Sequence, residues 1–419
     1  MDIKFKWLHV FLAINIFSIV YYTLYFIKFN HTPSPFIYDK GDTFMDFFNT
    51  LYWSYDINRY TVWQSIYPPL NFLFLKLVNL IISGGIYTEP FDMRHNGQNL
   101  IQFIIISFML MPLIILKSYD WLCIKEKICV YLIFISSLPF LFVLERGNLI
   151  VYSLPILYIF FNSEKLSKMF CLSVLVNIKP YFGILVITSF FKKNYYELFI
   201  FFICSSVIYI FSSMMIGPEF LEFIKNLFVF DKSIFSLREL MALPSTILSH
   251  IIFLSNAELS FVTDSFVGKY LLINFFYALY LLLLLLFLCT IIFFRNKLCH
   301  KEIICLLIIG LTNFFYQIGG YSIIFYFIII PYIYKNYRFL LYFIIPLFLP
   351  LDMLQIFSDT LPYSYSYLFG GYAEINYSLG AGSIIRPILN YLLLFFMCIS
   401  MFERFTNINL PYIGKLNEK

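Results

Sequence analysis

Apolar runs separated by short polar breaks follow one another along almost the whole chain. The first covers about Trp7 to Ile27. Later runs cover Leu70 to Ser83, Leu100 to Leu116, Ile128 to Leu144, Leu149 to Phe161, Leu166 to Phe191 (broken by Lys179-Pro180) and Tyr196 to Ile216. A partly polar stretch, Gly217 to Leu240, and a short apolar piece from Pro244 come next. The runs then resume at Tyr270 to Phe294, Ile303 to Phe315, Ile323 to Tyr334, Phe339 to Leu349 and Ile388 to Phe402. Many approach the ~20 residues that a helix needs to cross a bilayer. None has the strict alternation of a barrel strand. Because a helix satisfies its own backbone groups in lipid, the pattern predicts an all-α polytopic membrane protein with about 11–13 transmembrane helices.

The polar breaks carry the rest of the information. The first, about Lys28 to Ile66, runs into Tyr67-Pro68-Pro69-Leu70. The stretch Tyr38 to Leu70 holds four of the chain's eleven aspartates, Asp39, Asp42, Asp46 and Asp56, set among aromatic residues. Within it, Phe44 to Tyr55 predicts a short helix lying in the outer membrane interface. Asp42 stands where a carboxylate can cap its first turn, and Pro68-Pro69 can open the next helix, since a missing N–H costs nothing there.

Basic residues set the expected orientation. Lys4 and Lys6 precede the first run, which is too long for a signal-peptide core and lacks a small-residue cleavage site, so a retained helix with its start inside is expected. No Lys or Arg occurs between Arg338 and Arg386, which puts the Tyr-, Ser- and Gly-rich loop Asp352 to Ser383 outside. That loop suits sugar stacking as well as it suits an ordinary interfacial aromatic belt. The middle allows two pictures. If every segment from Leu70 to Phe191 crosses, Lys117, Lys125 and Lys127 fall outside, against the positive-inside trend. If instead Glu145-Arg146-Gly147-Asn148 and Lys179-Pro180 are both outer tips, the basic loops fall inside, and a re-entrant segment is required near Leu70 to Asn99. The basic loops favour the second picture.

Composition agrees: 61% of the 419 residues are hydrophobic and 13% charged, against roughly 25% charged in soluble domains. The net charge of +5 resides in short clusters between apolar runs, so it argues for inner loops and not for nucleic acid. Eight cysteines without a CxxC pair and five scattered histidines suggest neither a disulfide frame nor a metal site, and no cofactor or divalent metal is indicated. There is no Walker, GxSxG or HExxH motif. We expect one integral membrane domain over 1–419: a motif-bearing half (40–195), further helices (196–402) and a cytoplasmic tail (403–419).

Candidate chemistry gathers in the first half. A carboxylate near aromatics at the interface, Asp46 or Asp42, can act as a general base on a sugar hydroxyl; the bland alternatives are a cap and a solvated acid. Arg146 lies between two long apolar runs, where a guanidinium is costly without a purpose. It can grip a phosphate bidentately, or simply pair with Glu145. Lys179 is either a lysine set at a helix end by proline or a counter-charge for a phosphate leaving group. Arg59 and Arg94 are weaker phosphate candidates. Asn148, Tyr67 and Asp39 complete the set as substrate contacts.

MDFFNTLYW leading into SIYPPL, then ERGNLIVYSLPIL and VNIKPYFGILVITSFFKKNYY, resemble the GT-C superfamily of membrane glycosyltransferases, and within it the family 87 branch of polyprenol-phosphate-mannose-dependent α-mannosyltransferases. The likeness covers about residues 40 to 195. Where many relatives have Gly-Gln-x-Asn, this chain has Arg146-Gly147-Asn148. The resemblance implies a GT-C-like bundle with its active site on the non-cytoplasmic side, expected here in a bacterial cytoplasmic membrane. It implies transfer of a hexose, mannose in that branch, from a polyprenyl-phosphate donor to a glycan or glycolipid acceptor. Asp46 matches the family's catalytic-loop aspartate, with Asp42 second. Two rivals stand beside it: an O-antigen or capsule polymerase, whose working loop falls in the second half, and a lipid-linked sugar transporter or flippase, which calls for inverted repeats and mid-helix charges.

Overall fold

The computed structural model describes residues 3–29, 32–33, 36, 43–85, 89–217, 221–227, 266–314, 320–366 and 372–406. In chain order the helices are α1 (Ile3–Phe29), α2 (Met45–Tyr55), α3 (Pro69–Ile82), α4 (Pro90–Asn96), α5 (Gln98–Leu110), α6 (Ile124–Ile135), α7 (Leu138–Arg146), α8 (Ser153–Asn162), α9 (Lys165–Ile178), α10 (Ile187–Phe191), α11 (Tyr195–Ile216), α12 (Phe266–Phe294), α13 (His300–Phe314), α14 (Tyr326–Asn336) and α15 (Gly382–Thr406). Tight 3-10 turns extend several of them, including Met111–Ser118 after α5, Leu149–Tyr152 before α8 and Pro180–Val186 after α9.

Four described segments are long and apolar enough to cross a bilayer: Trp7–Phe29, Gln98–Ser118, Tyr195–Ile216 and Ile385–Thr406. The pair α6 and α7 makes a fifth if it counts as one span bent by 53°. The bend falls at Ser136-Ser137, ahead of Pro139, where the Ser136 hydroxyl donates back to the Leu132 carbonyl; proline and back-bonding serines are ordinary causes of a kink. Shorter apolar helices fill in between, α3, α8 and α9 among them. The protein is therefore a membrane-embedded, multi-pass helical protein.

The chain divides into two units. The first comprises residues 1–183, 195–233 and 352–380. In it α1 packs on α6, with Asn15 donating to the Ile133 carbonyl at 3.2 Å. Helices α9 and α11 run side by side in the same direction. Lys168 meets Glu197 at 3.6 Å, the Ser173 hydroxyl donates to the Phe201 carbonyl at 3.1 Å, and Asn177 donates to the Ser205 carbonyl at 3.2 Å. This near-constant offset puts Lys179 level with about residue 207 of α11, roughly 13 Å short of that helix's end at Ile216, at 1.5 Å per residue. The chain at 221–227 is helical and packs Phe223 against Tyr60 and Phe72.

The expected short helix at Phe44 to Tyr55 is present as α2, although Asp42 lies outside the described residues. Its N-cap is Phe44, in left-handed backbone at φ 62 with no side-chain cap. Near the other end of α2, the Trp53 carbonyl shares Arg59 with the Ile216 carbonyl at the end of α11. Asp46 lies two turns back along α2. Helix α3 opens at Pro69 as expected and then packs along α2, Asn79 donating to the Tyr55 hydroxyl at 2.9 Å. Helix α4 returns the chain to the start of α2, where a Cβ on Gly97 would meet Phe48 at 3.0 Å. The segment 69–97 thus leaves α2 and comes back to it.

The expected outer loop near Asp352 to Ser383 is folded as an antiparallel hairpin, β1 (Gln355–Ser366) with β2 (Tyr372–Gly380). The sequence reading contained no strand there. The register shifts between Leu361 and Ser364, on either side of Pro362, which cannot donate to a ladder. The side chains proposed for sugar contacts in this loop lie outside the described residues. The tail expected over 403–419 is described only to Thr406, where it continues α15.

The second unit comprises 184–194, 234–351 and 381–419. Among its described residues, α12, α13, α14 and α15 pack together. Buried Tyr326 shares a hydrogen-bond cluster with Thr312 and Asn390, and buried Glu302 accepts from Tyr337 and Arg404. Such pairing of buried polar groups is what lipid surroundings favour.

Candidate functional site

The site is built where the start of α2 rests on the turn after α7. Thr43 and Phe44 are pinned first. The Phe44 N–H donates to the Glu145 carbonyl at 2.6 Å, the Thr43 hydroxyl donates to the Glu145 carboxylate at 2.6 Å, and fully buried Arg94 donates to the Thr43 carbonyl at 3.2 Å. Gly147 then ends α7 in left-handed backbone at φ 65. A Cβ there would lie 3.1 Å from the Phe47 Cβ and 3.2 Å from the Phe44 Cα. Glycine is what allows the turn to reverse and α2 to sit on it at once.

The next residue makes the central contact. Asn148 Nδ2 donates to Asp46 Oδ2 at 2.7 Å, 102 residues away in sequence. The amide orientation follows from its other partner: Oδ1 accepts the Ile150 N–H at 3.0 Å and so caps the turn Leu149–Tyr152. With Oδ1 engaged there, the NH2 group faces the carboxylate. Asn148 is buried and Asp46 half-buried, so one edge of the carboxylate is held while the group keeps access to the surroundings. Arg146 is buried on the other side of Gly147.

Lys179 comes from a different element. Helix α9 stops at Ile178 because Pro180 cannot continue it. The carbonyls left at its end are met by the Asn71 amide, which donates to Ile178 at 2.9 Å and Asn177 at 3.4 Å. The lysine is thereby projected with its Nζ 3.9 Å from the centre of the Tyr67 ring, a cation–π contact of about 0.5–2 kcal/mol. It lies within electrostatic reach of Asp46. Tyr67 is itself held through its carbonyl by the Tyr60 hydroxyl at 3.0 Å.

Of the residues expected at the site, the structure brings together Asp46, Asn148, Lys179 and Tyr67, with Arg146 on the same turn. Asp39 and Asp42 lie outside the described residues. Arg59 is occupied elsewhere: buried, it donates to the Trp53 carbonyl at 3.0 Å and the Ile216 carbonyl at 2.9 Å, and it lies over the Phe72 ring. These bonds make it a tether between the first loop and α11. Arg94 is likewise a brace for Thr43. Sequence reasoning missed Asn71, Thr43 and Asn226, which donates to the Tyr60 and Ser65 carbonyls. For Asn71 the only signal was an asparagine set close to a helix start.

Outside the membrane-spanning segments, Asp56 closes a turn. Its carboxylate accepts the Asn58 N–H at 2.8 Å and the Trp63 indole N–H at 2.6 Å. The Asn58 bond first, then the Trp63 bond and nearby Arg59, holds its pKa below the usual carboxylate range against a smaller opposing effect of burial. Among the described residues, no group of three His, Cys, Asp or Glu side chains is placed to hold a metal ion. No family model, curated protein or solved structure matches the chain.

Proposed function

We propose that the chain is a membrane glycosyltransferase of the GT-C kind, which moves a hexose from a polyprenyl-phosphate donor to a hydroxyl of a glycan or glycolipid acceptor. The observation that carries this reading is the hydrogen bond from Asn148 to Asp46, with Lys179, from a third element, within electrostatic reach of the same carboxylate. Asp46 takes the proton of the acceptor hydroxyl. The acceptor oxygen bonds to the anomeric carbon as the bond from that carbon to the phosphate oxygen breaks, and the electron pair leaves on the phosphate. Lys179 offsets the charge that develops there. Asn148 fixes the carboxylate edge not used for the proton, which is the role of a positioning residue.

The course of the first unit supports a site that faces outward. Helix α5 leaves the Asp46 end, and α6 with α7 returns to it, so Lys117, Lys125 and Lys127 fall at the opposite end. The positive-inside trend makes that end cytoplasmic and the Asp46 end outer, in keeping with a bacterial cytoplasmic membrane and a lipid-linked donor. A bundle of about 11–13 spans, short ones included, belongs to the same reading.

The test is transfer by the purified full chain from polyprenyl-phosphate sugars, with Asp46→Asn beside it. The reading requires free polyprenyl phosphate from the wild type, and a loss of about 10²-fold or more in the variant at unchanged expression. Wild-type rates in Asp46→Asn would remove Asp46 from the mechanism.

A further inference from the structure

Helix α2 leaves one strip of its surface open. Along Met45–Tyr55 the half-buried positions are Asp46, Asn49, Tyr52 and Trp53; Tyr55 is exposed and the remaining residues are buried. Asp46 and Trp53 are close to two full helical turns apart, so they share a side of α2 and lie about 10 Å apart along its axis. Past the helix end the chain turns back and lays Trp63 on this strip. Its ring stacks with that of Trp53, centres 6.2 Å apart and planes at 27°, and meets Tyr52 edge-on at 6.0 Å. The ring is fixed at its polar edge, where the N–H donates to Asp56 at 2.6 Å. The turn that carries it is fixed by Asn58, which donates its N–H to Asp56, and by Arg59 on the Trp53 and Ile216 carbonyls. Trp63 is nevertheless 42% exposed.

This surface is selective. Ring faces pack against C–H groups, while the amide and carboxylates beside them take hydroxyls. At the Trp63 end the charged side chain on offer is the Asp56 carboxylate, because Arg59 is buried and engaged by carbonyls. Lys179 is near Asp46, at the other end, and Lys76 lies over Tyr55, which faces away from Asp46 on the helix. The Trp63 end therefore repels an anion. A helix or turn that anchors to a membrane surface exposes Lys or Arg, and residues 55–64 expose neither. The ligand that fits has apolar faces, many hydroxyls and no charge, which is the chemistry of a neutral sugar chain.

We propose that Trp63, Trp53 and Tyr52 form a stacking platform for the neutral sugar chain of the acceptor, which runs along the open strip of α2 with its reacting hydroxyl at Asp46 and an inner sugar on Trp63. That this chain is the acceptor rests on the function proposed above; affinity for a neutral sugar chain rests on the platform. A single sugar covers only one end of the strip. The ring is held in place before the ligand arrives, so little ordering opposes binding.

The experiment applies the full chain in lipid nanodiscs, without any donor, to an array of neutral and acidic mono- to hexasaccharides. A neutral oligosaccharide should bind at least about tenfold more tightly than its monosaccharide. Trp63→Ala should weaken that binding about tenfold, Trp63→Tyr, which keeps a ring, by no more than about threefold, and Ile57→Ser, on the same turn, not at all. Failure to bind any neutral oligosaccharide, binding indifferent to Trp63→Ala, or a preference for acidic sugars would overturn the proposal. A second readout stands even if Trp63→Ala does not fold. Trp63 fluorescence, taken as the difference between wild type and Trp63→Phe, should be quenched by aqueous acrylamide and protected by the bound oligosaccharide. Quenching by brominated lipid instead would make the turn a membrane anchor and overturn the platform. Binding needs no sugar transfer. A protein that binds here yet transfers nothing loses the proposed function and keeps the platform; one that transfers with acceptor affinity unmoved by Trp63→Ala loses only the platform.

Discussion

The Asp46–Asn148 hydrogen bond is the contact on which the site depends, and a double-mutant cycle measures it. Asn148→Ala removes two bonds. The one to the Asp46 carboxylate, at 2.7 Å, is a bond to a charged group worth about 1.5–3 kcal/mol. The cap on Ile150, at 3.0 Å, is worth about 1 kcal/mol. The single variant should lose about 2–4 kcal/mol of unfolding free energy. Asp46→Ala loses the first bond only. In the double variant that shared bond is lost once, so the effects should be non-additive by about 1–3 kcal/mol. Denaturant titration of the full chain in detergent micelles reads each corner of the cycle. Asn148→Asp sharpens the test: Oδ1 still caps Ile150, but a second carboxylate now faces Asp46. One of the pair must then hold a proton, and its pKa rises. The variant should be most stable at acidic pH and lose stability as pH rises through that titration, a trend absent from Asn148→Ala. Additivity within about 0.5 kcal/mol, together with a pH-independent Asn148→Asp, would refute the geometry.

Three further outcomes are expected. Gly147→Ala should cost about 1–2 kcal/mol from left-handed backbone alone, and more from the 3.1 Å approach to Phe47; it should also slow transfer, because it pushes α2 off the turn, and unchanged stability would deny the close approach. Arg59→Ala should destabilise by about 2–4 kcal/mol, since two buried carbonyls lose a charged donor, while the donor KM of whatever protein folds stays near wild type; a raised KM at intact stability would return Arg59 to phosphate binding. Asp56 has a lowered pKa, so its hold on Trp63 is complete above the ordinary carboxylate pKa of about 3.9 and is lost as pH falls through its own lower value. Trp63 fluorescence should change on acidification below about pH 4, and Asp56→Asn should abolish the change.

Much of the local structure was legible. The aromatic run ahead of Tyr55, the Pro68-Pro69 start, the Glu145-Arg146-Gly147-Asn148 turn and the Lys179-Pro180 break all reflect residue chemistry within a few positions. What could not be read was which breaks meet. Asp46 finds Asn148 across 102 residues, and Asn71 finds Ile178 across 107. Helices such as α1, α11 and α12 are apolar almost all round, so they carry no polar face that would say how they pack. The partners of Arg59 were hidden for a related reason: they are backbone carbonyls, which no side-chain pattern announces. The hairpin was hidden because its strands carry Pro362 and lack a clean alternation.

The most direct measurement offers the purified protein, in detergent or liposomes, a panel of polyprenyl-phosphate sugars and follows release of free polyprenyl phosphate, with Asp46→Asn and Lys179→Gln alongside. Release by the wild type from at least one donor, lost in both variants, is the expected result. No release from any monosaccharide donor, with consumption of a diphosphate-linked oligosaccharide instead, would contradict the proposed reaction and assign the chain to polysaccharide polymerisation.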